Sequence, residues 1–207
     1  FAGLISFIGV LVVIYAGTYL KGHPQLGRFF SALLIFMGAM LGIALSDNIL
    51  AIFVFWELTS VSSFILIGFD HKREKARRAA TQALLTTAMG GLALLVGLIL
   101  LGLATGSWRV SEINTAQIVE HAWYPWIVAL VALGCATKSA QFPFHYWLPN
   151  AMEAPAPVSA YLHSSTMVKA GVFLFARLTP ALGAADASGN TPIIWSATLT
   201  IMGAVTA

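Results

Sequence analysis

Five ionisable side chains stand inside apolar runs that offer them no water: Glu57 in FVFWELTSVSSFILIGF, Lys138 and His145 in ATKSAQFPFHYW, and His163 and Lys169 in YLHSSTMVKAG. A charge at the centre of a bilayer costs about 2.5–3.5 kcal/mol on insertion scales, so a set of this size needs a chemical reason. A carboxylate, two amines and two imidazoles together suit proton transfer. Burial favours the neutral form of an acid or an amine, and an opposite charge nearby restores the ionised form. A glutamate and a lysine on different helices can therefore hold each other charged when close. Separation then lets the lysine pass its proton on, and Glu57 with Lys138 is the natural pair for this. Neutral imidazole both donates and accepts, which fits His163 to a relay in a hydrated path. His163 and Lys169 are six positions apart, about 240° around an α-helix, and Thr166 midway between them is placed to bridge them through water.

Each of these residues also has a plainer reading. His145 stands near a helix end, where packing or snorkelling accounts for it equally well. Glu153 is either a loop carboxylate or a residue at the mouth of a proton or cation path. Ser60, Ser62 and Ser63 read mainly as small packing residues, and the lone cysteine, Cys135, does the same. Pro143 is different, because a proline inside a membrane helix removes one donor and frees the carbonyl four residues back. Here that is the carbonyl of Ser139, so the helix should break or kink beside Lys138. Freed backbone at membrane depth is tolerated only where it is covered by protein or lines a water cavity. Broken helices beside ionisable groups are a feature of secondary transporters.

The elements that must carry these groups are membrane helices. The chain is 58% hydrophobic and 9% charged, with mean hydropathy +0.84, where a soluble domain carries roughly a quarter of its residues charged. The apolar runs are continuous rather than alternating, which excludes a β-barrel. Seven helices are expected, at about 2–20, 29–46, 48–69, 79–103, 123–146, 157–178 and 192–207. The fold class is thus all-α, a polytopic transmembrane bundle with one helix broken at proline. The linkers KGHPQLGR, SDN, DHKREKARR, TGSWRVSEINTAQIVEHAWYP, WLPNAMEAPAP and ALGAADASGNTP are loops, and no internal repeat divides the chain. Residues 1–207 are read as one transmembrane piece of a longer protein, since the chain starts at Phe1 and ends within an apolar run.

Alternating loops place Lys21, Arg28, Lys72, Arg73, Lys75, Arg77 and Arg78 on one face, against Arg109 and Arg177 on the other. The positive-inside rule makes the basic loops 21–28 and 70–78 cytoplasmic, in a multi-pass protein of the cell inner membrane. The net charge of +3 then reflects topology and contact with anionic lipid, not nucleic acid. No phosphate loop, zinc spacing, haem attachment motif or nucleophile triad is present in the sequence, so neither cofactor nor metal is expected.

The stretches FWELTSVSSFILIGF and ATKSAQFPFHYWLPNAMEAPAPVSAYLHSSTMVKAG, with the basic loop between helices three and four, resemble the proton-translocating antiporter family. That family includes the large antiporter-like subunits of respiratory complex I and the Mrp-type multisubunit Na+/H+ antiporters. The WELTS…SSF version, together with Lys169 in TMVKAG, is more similar to the A-subunit group of the Mrp antiporters. The resemblance covers most of the chain. It implies that Glu57 pairs with Lys138 on a broken helix, and that His163 and Lys169 continue a proton path. It also implies a second, inverted half outside this chain, partner membrane subunits, and Na+ and H+ as substrates. Asn150 and Ala156 stand where the family pattern suggests Asp and Thr, which weakens only the case for a direct role of that turn. Two other readings stay open: the proton-pumping module of a quinone oxidoreductase or membrane hydrogenase, and an inert membrane scaffold.

Overall fold

A backbone surrounded by lipid must satisfy its own hydrogen bonds, so continuous apolar runs become helices. The computed structural model describes residues 1–113, 118–183 and 192–206, side chains at 164 and 165 excepted. Among these, α1 (Ala2–Tyr19), α2 (Leu26–Leu45), α3 (Ile49–Ile67) and α4 (Glu74–Thr105) are each long and apolar enough to cross a membrane. A shorter helix, α5 (Tyr124–Lys138), precedes a 3₁₀ turn at Phe144–Tyr146 and α6 (Trp147–Ala151). The next segment runs through α7 (Ala156–Ser159), a π-helix (Ala160–Thr166) and α8 (Met167–Leu182), and α9 (Ile193–Thr206) follows. The described residues are helical throughout apart from connections and one isolated bridge between Asn48 and Arg109. The all-α reading of the sequence holds.

Two boundaries differ from the sequence reading for local reasons. Residues 74–78, expected as loop, form the first turn of α4. Glu74 there complements the positive end of the helix dipole and pairs with Arg78 one turn on. The expected sixth helix is interrupted by the π segment. Most of the loop ALGAADASGNTP, at 184–191, and residues 114–117 of the preceding long loop lie outside the described residues, as does Ala207.

Capping and loop contacts fix how the helices stand. The side chain of Asn48 accepts from the amides of Leu50 (2.9 Å) and Ala51 (3.1 Å), satisfying two of the orphan donors at the start of α3. At that end of the bundle Asp47 accepts from the Ser111 hydroxyl (2.6 Å) and amide (3.1 Å), tying the 107–112 turn to the α2–α3 connection. Arg177 donates to the carbonyls of Ile43 and Ala44, both at 3.0 Å, at the C-terminus of α2. These partners and Arg109 share one end of the molecule, while at the other end Arg73 pairs with Glu153.

The approach of α4 to its neighbours determines the rest of the geometry. A Cβ added at Gly90 would collide with the Thr137 side chain, one at Gly91 with the Glu57 carboxylate, and one at Gly134 with Leu94. Small residues thus let α3, α4 and α5 close on one another.

Candidate functional site

Lys138 is the last residue of α5, and its helix stops there for a backbone reason. Ala140 adopts φ 51°, a left-handed conformation. The Gln141 amide reaches back to the Ala136 carbonyl (2.9 Å) and the Ala140 amide to that of Thr137 (3.4 Å), the bonding pattern of a Schellman cap. Glycine is usual at this position, and an alanine carries a cost of about 1–2 kcal/mol. The break was expected at Pro143. The structure ends the helix earlier, because the turn at Ala140 closes the i→i−4 ladder before the proline ring is reached. Pro143 instead precedes the Phe144–Tyr146 turn. The Trp147 indole also donates to the Thr137 carbonyl, at 3.0 Å, so the far side of the break is tied back to the end of α5.

The Lys138 side chain is fully buried. Its Nζ donates to the Trp56 carbonyl (3.0 Å) and to Ser60 Oγ (2.7 Å), and lies 5.1 Å from the centre of the Trp56 ring. Both acceptors are on α3, four residues apart on one face. The same Trp56 carbonyl also accepts from the Thr59 hydroxyl at 2.7 Å. Ser60 therefore does more than pack, which its position in a serine-rich apolar run did not reveal.

Glu57 follows Trp56 in sequence and points about 100° away from it around the helix axis. It is half-buried, with its Oε1 against Gly91 and without a hydrogen-bond partner among the described residues. The expected ion pair with Lys138 is not formed: among the described residues no Glu57–Lys138 contact lies within 4.0 Å. The reason is angular, since Lys138 docks on the Trp56–Ser60 face and Glu57 faces α4. Glu57 nonetheless directly follows Trp56, whose carbonyl accepts from Lys138 Nζ.

His163 is buried within the π-helix, its ring 6.2 Å from that of Trp147. Neither imidazole nitrogen has a hydrogen-bond partner among the described residues. Single π turns inside α-helices recur at functional sites. The Thr166 hydroxyl donates to the Tyr161 carbonyl (2.7 Å) within this segment, which leaves its oxygen as an acceptor. Trp147 thus links the Lys138 end of α5 to His163. Glu57, Lys138 and His163 are the candidates of the interior polar set, related through α3 and Trp147 and not by hydrogen bonds to one another among the described residues.

Three other candidates stand apart from it. Lys169 is on an exposed face of α8. His145 is exposed and stacked on Phe142 at 5.8 Å. Glu153 is in the loop after α6, paired with Arg73. Among the described residues no cluster of His, Cys, Asp or Glu has metal-binding geometry. What the interior set offers chemically is a lysine whose ammonium is held only by neutral acceptors, a carboxylate beside it, and an imidazole beyond.

Residues 46–207 match the family described as NADH:quinone oxidoreductase/Mrp antiporter, TM. The chain is 48% identical over 208 residues to Na(+)/H(+) antiporter subunit A1 of Staphylococcus aureus (strain JH9), covering 100% of this chain and 25% of that protein. The same figures hold for the subunit of strain N315. This chain therefore spans about a quarter of the length of these curated relatives. Its fold superposes on a chain of the Mrp complex from Dietzia sp. DQ12-45-1b with TM-score 0.87 and 36% identity, covering 98% of this chain and 22% of that one. A chain of the archaeal membrane-bound sulfane sulfur reductase shares the fold at TM-score 0.79 and 23% identity, over 99% of this chain and 41% of that one. With the family match running across the helix-end lysine and both of its neighbours in the interior polar set, the chain belongs to the NADH:quinone oxidoreductase/Mrp antiporter transmembrane family.

Proposed function

We propose that this chain is the first half of the proton-conducting core of a monovalent cation/proton antiporter subunit, exchanging Na+ for H+ within a complex of several membrane subunits. The observation that carries the reading is Lys138: a fully buried amine at a helix break, bonded to a carbonyl and a hydroxyl. A fixed salt bridge would hold its proton. Neutral acceptors allow the proton to leave when the neighbouring carboxylate changes charge or position, because the attraction of Glu57 is what favours the ammonium in a low-dielectric interior. A released proton has the buried, unbonded imidazole of His163 as its next acceptor across Trp147. Lys169, on the exposed face of α8, serves where the path leaves this half toward a covering element. The basic loops 21–28 and 70–78 face the cytoplasm of the cell inner membrane.

In the full complex, Lys138→Ala and Glu57→Ala abolish exchange and leave assembly intact. The measurement is dye-reported collapse of ΔpH in inverted vesicles on addition of Na+, and wild-type exchange in both variants would sink the proposal. A redox-driven pump would use the same residues, and the family match includes quinone oxidoreductase subunits. Flavin or iron–sulfur absorbance in the purified particle separates that reading from antiport.

A further inference from the structure

The α4 helix is longer than a membrane needs. Its 32 residues span about 48 Å, against about 30 Å of hydrocarbon, so its first turns stand at the level of the lipid headgroups. The sequence marks the same boundary. Glu74, Lys75, Arg77 and Arg78 precede Ala79, and from there to Thr105 no charged residue occurs.

At this boundary a cavity of about 560 Å³ lies between the first turns of α4 and the α6 segment. Lys75, Arg78 and Gln82 line one side of it, and Asn150, Met152 and Glu153 the other. Its charges are not balanced. Lys75 is in no salt bridge among the described residues. Arg78 pairs with Glu74 across an exposed turn, a contact that contributes little and is readily exchanged. The carboxylate of Glu153 is neutralised by Arg73. The Asn150 amide donates to Gln82 Oε1 at 2.7 Å, which leaves both hydrogens of the Gln82 NH2 group to donate elsewhere. Two cations and an amide donor around one space suit an anion of phosphate type.

One to two turns further along the same side of α4, an apolar furrow of about 230 Å³ opens between Met89 and Gly90 on one wall and Leu133 and Phe144 on the other. It faces outward, since Leu85 and Met89 beside it are 59% and 72% exposed. Between cavity and furrow, Thr86 Oγ1 and the Tyr146 hydroxyl are bonded at 3.1 Å, and the Thr86 hydroxyl donates to the Gln82 carbonyl at 2.9 Å. These hydroxyls satisfy themselves within the protein and leave the furrow fit for hydrocarbon. A polar, basic mouth at headgroup level above an apolar furrow is the profile of an amphiphile standing along the membrane normal.

We propose that this face of α4 binds one anionic phospholipid, with its phosphate between Lys75, Arg78 and Gln82 and one acyl chain along the furrow past Met89 and Gly90. A lipid tail is as well accommodated in the bilayer as in the furrow, so the furrow supplies fit and the cations supply selectivity. A zwitterionic headgroup brings its own ammonium toward Lys75 and Arg78, whereas a net anion leaves both of them paired.

The site goes beyond the antiport reading, and its test is scored without measuring exchange. The purified full complex in phosphatidylcholine nanodiscs receives phosphatidylglycerol carrying a diazirine on one acyl chain, or the equivalent phosphatidylcholine probe, and cross-linked peptides are identified by mass spectrometry. The phosphatidylglycerol probe should label segments 82–92 and 142–150 at least about tenfold more than the phosphatidylcholine probe. Lys75→Gln and Arg78→Gln should each lower that labelling about fivefold, and together by tenfold or more, with labelling elsewhere on the complex unchanged. Lys75→Arg combined with Arg78→Lys should keep it. Equal labelling by the two probes, or phosphatidylglycerol labelling that survives both glutamine substitutions, overturns the site. So does an unlabelled furrow in which p-benzoylphenylalanine at position 89 cross-links to protein, because a covering helix then occupies it.

Discussion

Gly91→Ala tests whether the position of the Glu57 carboxylate, and not only its presence, matters. An added Cβ would lie 3.0 Å from the Glu57 carboxyl carbon and closer still to Oε1, so one of them must move. Overpacking of this kind costs about 1–3 kcal/mol. Alanine returns about 1 kcal/mol in helix propensity over glycine. The net of roughly 0–2 kcal/mol is small enough for the chain to fold. It is relieved mainly by the carboxylate, which is the flexible end of a side chain, whereas at Gly90 the added carbon would meet the Thr137 Cβ beside the α5 backbone. The carboxylate is therefore pushed out of its place near Lys138. Since each 1.4 kcal/mol lost from a transfer step is about a tenfold loss of rate, Na+-dependent ΔpH collapse should fall by about tenfold while the assembled complex is recovered in normal amount. Glu57→Asp in the same chain shortens the side chain by one methylene and should restore part of the rate, giving a favourable coupling in the double-mutant cycle. Wild-type exchange in Gly91→Ala, or no coupling between the two substitutions, would refute the argument that α4 positions Glu57.

Two further outcomes follow from the ends of helices. Ala140→Gly removes the left-handed alanine at the break, so thermal unfolding of the purified complex should move upward by about 1 kcal/mol of stability with exchange retained; a lower midpoint would show that the φ of 51° is not strained. At the opposite end, the hydrogen bond from the Ser111 hydroxyl holds the Asp47 carboxyl below its ordinary value. A lowered folded-state value means that this tie is present above the unfolded-state value and is lost as pH falls through the folded one. The protection factors of the Val110 and Ser111 amides, taken against the intrinsic exchange rate at each pH, should fall on acidification and lose that dependence in Asp47→Asn; pH-independent protection in the native chain would contradict it.

The helices were legible because each apolar run is continuous and close to a bilayer in length. The location of the break was not, because Pro143 is a strong local signal whereas the left-handed turn at Ala140 carries no glycine to announce it. The π segment has no sequence mark either. Lys138 and Glu57 stood out as charges in apolar runs, yet their relation did not. A pairing argument from charge alone overlooks that Trp56 and Ser60, four residues apart, offer a carbonyl and a hydroxyl on a different face from Glu57. Gly91 was equally silent, because a glycine in a membrane helix is common and only the neighbour it admits gives it meaning. His145 and Glu153 drew attention by type, and their exposed surroundings separate them from the interior set.

In the proposed mechanism Lys138 gives up and regains a proton, beyond supplying a buried positive charge. Lys138→Arg separates the two, because guanidinium keeps its charge under all conditions in a protein. Measured as Na+-induced collapse of ΔpH in inverted vesicles bearing the whole complex, Lys138→Arg should assemble and exchange no better than Lys138→Ala. Exchange at the native rate with arginine at this position would contradict the account.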